Sequence, residues 1–207
     1  MKKIFIALFV GATLLQLAWA GEAQDQLNAF HQQMQTLQAH FEQQLVSEKG
    51  EIRQQVSGTV YIQRPGRFRW DYDPPYEQMI MADRQRLIIY DVDLEQVMVK
   101  KMDEALGQTP AVILSGDGDL EESFFIVELE PKQGLQWVEL TPRNKEGSFI
   151  SMQLGFMDGE LSVMALEDSF GQLTTITLSQ VQRNKPLPAA IFEFEAPDGV
   201  DVVGDLD

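Results

Sequence analysis

Residues 56–72 read VSGTVYIQRPGRFRWDY, and the alternation inside them decides the fold. Val56, Gly58, Val60 and Ile62 alternate with Ser57, Thr59, Tyr61 and Gln63. Beyond the Arg64-Pro65-Gly66 corner, Phe68, Trp70 and Tyr72 alternate with Arg67, Arg69 and Asp71. A period of two puts one set of side chains on a buried face and the other toward water. The Pro-Gly corner turns the chain back on itself. The stretch is two antiparallel strands with an aromatic inner face.

The same rhythm recurs downstream. Strands are expected at 77–82, 86–91, 95–101, 123–130, 135–141, 147–156, 160–167, 172–181 and 190–195, many of them set apart by turn signals such as Asp158-Gly159 and Asn184-Lys185-Pro186. About eleven strands with few helices between them give a mainly β fold, an open or incomplete antiparallel β-barrel. Two helices break the pattern. Across residues 24–46, Leu27, Phe30, Met34, Leu37, Phe41 and Leu45 recur at spacings of three and four, with Gln, Glu and Asn on the other face. This predicts one amphipathic helix whose apolar face covers something else in the protein. Thr109-Pro110, then Ala-Val-Ile-Leu-Ser and Gly116, supplies the cap, first-turn proline and glycine stop of a short apolar helix. A further helical piece, before the short helix, is expected around residues 102–107.

Residues 1–20 stand apart. Lys2 and Lys3, the apolar run IFIALFVGATLLQL and Ala18-Trp19-Ala20 have the order of a secretory signal peptide cleaved after Ala20. The remaining residues 21–207 fit one domain with a sizeable core and contain no other apolar run of spanning length. Cysteine is absent, so an exported chain of this kind holds together by packing, without a disulfide framework. Setting aside Lys2 and Lys3 takes the formal charge from −16 to −18. That sign opposes phosphate backbones and anionic headgroups, which argues against nucleic-acid binding and against stable adsorption to a membrane.

Chemistry-bearing patterns are missing. His31 and His40 are nine residues apart, about 900° around a helix axis, and so cannot jointly hold a metal on the expected first helix. Gly116-Asp117-Gly118-Asp119 and Asp91/Asp93 lack the ligand series and closing glutamate of a calcium loop. No GxSxG elbow or SxxK accompanies the serines. No catalytic residue, metal or cofactor is expected, and the chain does not read as an enzyme. It does contain eight methionines after the initiator, among them Met79, Met81, Met98, Met152 and Met164. Methionine suits cavities that accept variable apolar shapes, although each one is also ordinary core material.

These features carry a family resemblance. SGTVYIQRPGRFRWDYDPP, TPAVILSG, GFMDG, MALEDSFGQLTTI and FEFEAPDGVDVV, with LNAFHQQMQTLQAHF in the first helix, resemble the outer-membrane lipoprotein carrier proteins (the LolA family) in order and spacing. The resemblance implies an incomplete eleven-stranded barrel under an α-helical lid. It implies a monomeric periplasmic carrier that shelters the acyl chains of lipoproteins. Such a carrier takes its cargo from an inner-membrane ATP-binding-cassette transporter and gives it to an outer-membrane receptor. Arg64 matches the family arginine that latches the lid through backbone carbonyls. The end of the short helix, near Leu114, Ser115 and Gly116, offers unsatisfied carbonyls and a negative dipole end to its five-donor fork. Phe68 and Trp70 are candidates for the inner wall, and Leu27, Met34, Leu37 and Phe41 for the underside of the lid.

The receptor of the same pathway needs a lipid-modified cysteine, which this chain lacks. A lipid- or lipoprotein-sensing binding module of the same fold is the alternative reading. An interior plugged by its own side chains is a further one.

Overall fold

The computed structural model describes residues 21–102, 114–116, 118–144 and 149–204. The first half comprises α1 (Glu22–Gln33), β1 (Thr36–Val46), β2 (Ile52–Gln63), β3 (Arg67–Tyr72), β4 (Gln78–Asp83), β5 (Arg86–Asp91) and β6 (Gln96–Lys101). The second comprises α2 (Leu120–Ser123), β7 (Phe124–Lys132), β8 (Leu135–Pro142), β9 (Phe149–Met157), β10 (Glu160–Asp168), β11 (Leu173–Arg183), a 3-10 turn (Ala189–Phe192) and β12 (Asp201–Val203).

The strands form one sheet in the order β12-β6-β5-β4-β3-β2-β1-β11-β10-β9-β8-β7. Two antiparallel meanders are joined by the long β1–β11 pair, and the short β12 runs parallel to β6 at one edge. β7 lies at the other edge, so the sheet curls without closing. This is the expected mainly β, open-barrel class with a helix over its concave face. A register row crosses seven strands on that face: Val56, Gln43, Ile176, Met164, Leu154, Val138 and Glu128.

The strand census differs from the expectation at both ends. Residues 36–46 are β1, whereas the spacing predicted that the first helix runs on to residue 46. A spacing of four is also a multiple of two, so Leu37 and Phe41 satisfy either period. Ala39 between them is buried as well, which settles the strand. The helix stops where distant groups take its last carbonyls and the next amides. Asn184 Nδ2 donates to Gln33 O at 2.9 Å, Gln35 N donates to Asn184 Oδ1 at 2.7 Å, and Arg64 N donates to Gln35 O at 2.9 Å. His40 consequently lies on β1, opposite Thr59 and Ser179, and not on a helix with His31.

The expected strand at 190–195 is instead the 3-10 turn followed by extended chain. Pro186 and Pro188 just before it lack the amide donors that a ladder requires. This tail covers the convex face, where Phe194, Ala196 and Val200 pack on Met79, Met81, Ile88 and Val97. Met79 and Met81 therefore fill a separate outer cluster, while Met152 and Met164 belong to the concave one. Arg69, expected in solvent, pairs with Asp71 at 2.8 Å and donates to Ile191 O of the tail at 3.3 Å. The expected helical piece at 102–107 and the start of the helix from Thr109-Pro110 lie outside the described residues, apart from Met102. Leu114 and Ser115 are helical and Gly116 is not.

Gly58 shows why the alternation around Arg64 matters. It stands between Phe41 on β1 and Tyr72 on β3, whose rings meet edge to face above it at 5.2 Å. A Cβ here would lie 1.9 Å from Asp71 O and 2.7 Å from Phe41 Cε1. Gly58→Ala should cost about 1–3 kcal/mol through forced rearrangement. Urea unfolding checks this, with a lower midpoint and an unchanged slope expected. An unchanged midpoint would mean that the aromatic packing is loose.

Candidate functional site

The concave face is apolar, and α1 lies over its second half. Ala23, Leu27, Phe30 and Met34 are buried beneath the helix, and Phe30 meets Phe156 of β9 edge to face at 5.7 Å. Leu27 and Met34 thus sit at the underside of the lid, Met34 as its C-cap. Leu37 and Phe41 do not. They belong to β1 and form wall, because the helix ends before Leu37. Phe68 and Trp70 are wall positions on β3, with Phe41 and Trp70 rings 4.8 Å apart. All six join Leu114 in one continuous cluster.

One polar edge interrupts the wall. Tyr72 is half-buried and donates its hydroxyl to Gln43 Oε1 at 3.2 Å. Burial pushes this phenol from its ordinary 10.0 up to about 12, against a smaller lowering effect of the Gln43 bond. Among the described residues, buried Trp70 Nε1 has no hydrogen-bond partner.

Two oppositely charged residues fasten the helix, each at the end its dipole favours. At the C-terminal end, Arg64 Nη1 donates to His31 O and Arg64 Nε donates to Leu114 O at 2.8 Å. His31 O is a last-turn carbonyl whose ordinary partner, Gln35 N, is engaged by Asn184. Arg64 therefore ties α1 and the Leu114 segment to the β2–β3 corner at once. Beside it, Gly66 N donates to Ser115 O at 2.9 Å. Among Leu114, Ser115 and Gly116, the carbonyl that the Arg64 side chain reaches is that of Leu114.

At the N-terminal end, Gly21 N donates to Glu128 Oε2 at 2.7 Å and Ala23 N donates to Glu128 Oε1 at 3.0 Å. One carboxylate on β7 accepts from the N-cap amide and from a first-turn amide of α1. Gly159 N, in the β9–β10 turn, donates to Gln26 Oε1 at 3.1 Å and adds a third attachment. Neither Glu128 nor Asn184 stands out in the sequence. Asn184 carries a signal as part of a turn, but its partners are about 150 residues away. Among the described residues, no group of acidic or histidine side chains is arranged to hold a metal. No described helix is long and apolar enough to cross a membrane.

The profile described as "Outer membrane lipoprotein carrier protein LolA" matches residues 32–195. The chain is 44% identical over 194 residues to an outer-membrane lipoprotein carrier protein of Dechloromonas aromatica, covering 94% of this chain and 93% of the relative. It is 42% identical over 180 residues to one of Nitrosospira multiformis, covering 86% and 87%. A solved structure of an uncharacterized conserved protein from Thermus thermophilus superposes with a TM-score of 0.54 at 14% identity, covering 88% of this chain and 98% of that one. That last likeness concerns the fold alone.

The Tyr72 environment is directly measurable. The folded chain favours the neutral phenol, so its contribution to stability is complete below pH 10 and is lost as pH rises through about 12. Ultraviolet titration of the native protein minus Tyr72→Phe should show a single phenol ionising near 12. A difference centred on 10 would place the ring in water.

Proposed function

The chain belongs to the outer membrane lipoprotein carrier (LolA) family, and on that ground we propose that it carries lipoproteins across the periplasm with their acyl chains under α1. The match along residues 32–195 is the observation that carries this reading. In this reading the cargo comes from an inner-membrane ATP-binding-cassette transporter and leaves to an outer-membrane receptor. Residues 1–20 direct export and are removed, and residues 21–207 work as one carrier domain. The strongly acidic charge keeps the carrier off anionic bilayer surfaces and suits a protein that must diffuse between two of them.

The energetics assign α1 its task. Each methylene moved from water into an apolar interior is worth about 0.8 kcal/mol, so acyl chains do not cross water bare. Moving them from a bilayer into an apolar protein interior is close to neutral, because both environments are dry. The deciding quantity is then what the protein gives up to make room. Leu27, Phe30 and Met34 are buried against the wall, and exposing each costs about 1.5–3 kcal/mol. Breaking the Arg64 bonds adds about 1.5–3 kcal/mol for each charged hydrogen bond. Loading is uphill by several kcal/mol and needs a driven transporter. Unloading is downhill, because the lid re-forms its own contacts. Arg64 acts as the latch, with Leu27, Met34, Leu37, Phe41, Phe68 and Trp70 as the surfaces that acyl chains meet.

The family match favours carriage over the lipid-sensing alternative, because its named relatives are carriers along nearly their full length. The test uses spheroplasts of a Gram-negative cell whose transporter accepts this chain. Purified mature protein should draw a newly made outer-membrane lipoprotein into a soluble one-to-one complex. Arg64→Leu should load at least as well but fail to hand cargo on, since the closed state no longer repays release. Lipoprotein that stays in the membrane while the protein is folded would sink the carrier reading. Normal hand-over by Arg64→Leu would sink the latch alone.

A further inference from the structure

The clamp at the N-terminal end of α1 changes chemistry when residues 1–20 are removed. In the full chain, Gly21 contributes one peptide N–H, which donates to Glu128 Oε2 at 2.7 Å. Hydrolysis of the Ala20–Gly21 bond consumes one water and leaves a carboxylate on Ala20. The new amine on Gly21 takes up the proton released by that carboxyl group. We propose that maturation thereby turns this hydrogen bond into an ion pair between the Gly21 α-ammonium and the Glu128 carboxylate, and so completes the fastening of the lid helix. The proposal rests on reading Ala18-Trp19-Ala20 as the cleavage site of an exported carrier.

Three features support it. The first is position: the nitrogen that maturation frees is already in contact with a carboxylate on a strand 107 residues away. Gly21 is the N-cap of α1 with ψ −13°, and that torsion sets where its nitrogen lies relative to the helix. The second is electrostatic. A positive charge at a helix N-terminus is unfavourable, because the dipole is positive there, and a carboxylate in contact reverses the sign. The charged groups around α1 sort accordingly. Glu22 and Asp25 in its first turn, Glu128 on β7 and Glu121 on α2, which accepts from Gln24, lie at the start. Arg64 and the Arg183–Glu160 pair lie at the end, with Arg183 over the Phe30 ring.

The third feature is placement on the sheet. Glu128 terminates the register row Val56-Gln43-Ile176-Met164-Leu154-Val138, on the face where apolar side chains gather. A half-buried carboxylate at such a place is strengthened as an acceptor by charged donors, and an ammonium offers three. A carrier with residues 1–20 still attached would then have a lid secured by Arg64 and by two neutral amides. Only the processed protein would have an ion pair at the start of the lid helix.

The experiment compares the mature chain starting at Gly21, its Nα-acetylated form, Glu128→Gln, and the acetylated Glu128→Gln protein. The N-terminus of the exported protein is first fixed by mass spectrometry. In the mature chain the α-amino group, followed by NMR on labelled Gly21, should titrate above its ordinary value of about 7.7–8.0. Glu128→Gln should bring it back to that ordinary value. Protection of the α1 amides against hydrogen exchange should fall about tenfold on acetylation, the factor expected if the ion pair raises the pKa of the amine by about one. Acetylation should have little further effect in Glu128→Gln, because paired groups are not additive. An exported N-terminus elsewhere than Gly21 would overturn the maturation step, whatever the protein carries. A Gly21 terminus that titrates at its ordinary value, or additive effects of acetylation and Glu128→Gln, would overturn the ion pair and leave lipoprotein carriage untouched.

Discussion

A sheet that curls without closing leaves its concave apolar face uncovered, and the rest of this structure answers that constraint. The row from Val56 to Val138 alone spans six strands. Water on that face would be unfavourable at about 25 cal/mol per Å² of apolar surface. α1 supplies the cover, but twelve residues are too few to stand as an isolated helix. The helix is held by what it touches: Phe156 beneath Phe30, Glu128 at its start, Asn184 and Arg64 at its end. Every one of those partners is distant in sequence. A cover assembled from long-range contacts can be displaced as a unit without disturbing the ladders of the sheet.

The parts of the fold legible in the sequence are those whose signals are local. Val56 to Tyr72 alternates cleanly because its inner residues, Gly58 apart, are apolar and its outer ones polar, and the hairpin pairs the inner sets with each other, Ile62 with Phe68, Val60 with Trp70 and Gly58 with Tyr72. Asp158-Gly159 marks its turn because Asp158 needs positive φ, at 52°, and Gly159 at 79°. Arg64 is singled out by the family likeness, and the β2–β3 corner holds its side chain at His31 O of α1 and at Leu114 O. Leu27, Phe30, Met34, Leu37 and Phe41 of the first stripe are buried as their spacing implies, even where the element carrying them is a strand and not a helix, and Leu45 is half-buried.

The departures from expectation share a physical cause: local periodicity is ambiguous when tertiary contacts decide. Leu37 and Phe41 fit three-four and two-two spacing equally, and the switch at residue 34 is imposed by Asn184 from the far end of β11. On β7, Phe125, Val127 and Leu129 form the more apolar set, yet Phe125 and Val127 are both 54% exposed while Phe124 is buried. Arg143 stacks over Phe125 at 3.9 Å and shields part of it. Glu128 shares the parity of Phe124 and Ile126, so its inward role is hidden among many acidic residues. The C-terminal tail departs for a related reason, since its apolar residues alternate like a strand while packing on the convex face without a ladder.

If acyl chains enter where α1 now rests, loading must free the helix and leave the sheet intact. The most direct measurement is hydrogen exchange on the mature protein, empty and in complex with a tri-acylated lipopeptide. Loss of protection confined to the α1 amides, with β1, β2 and β11 unchanged, is the expected result. Equal protection of α1 in both states, with the lipopeptide stably bound, would place the chains elsewhere and contradict the lid.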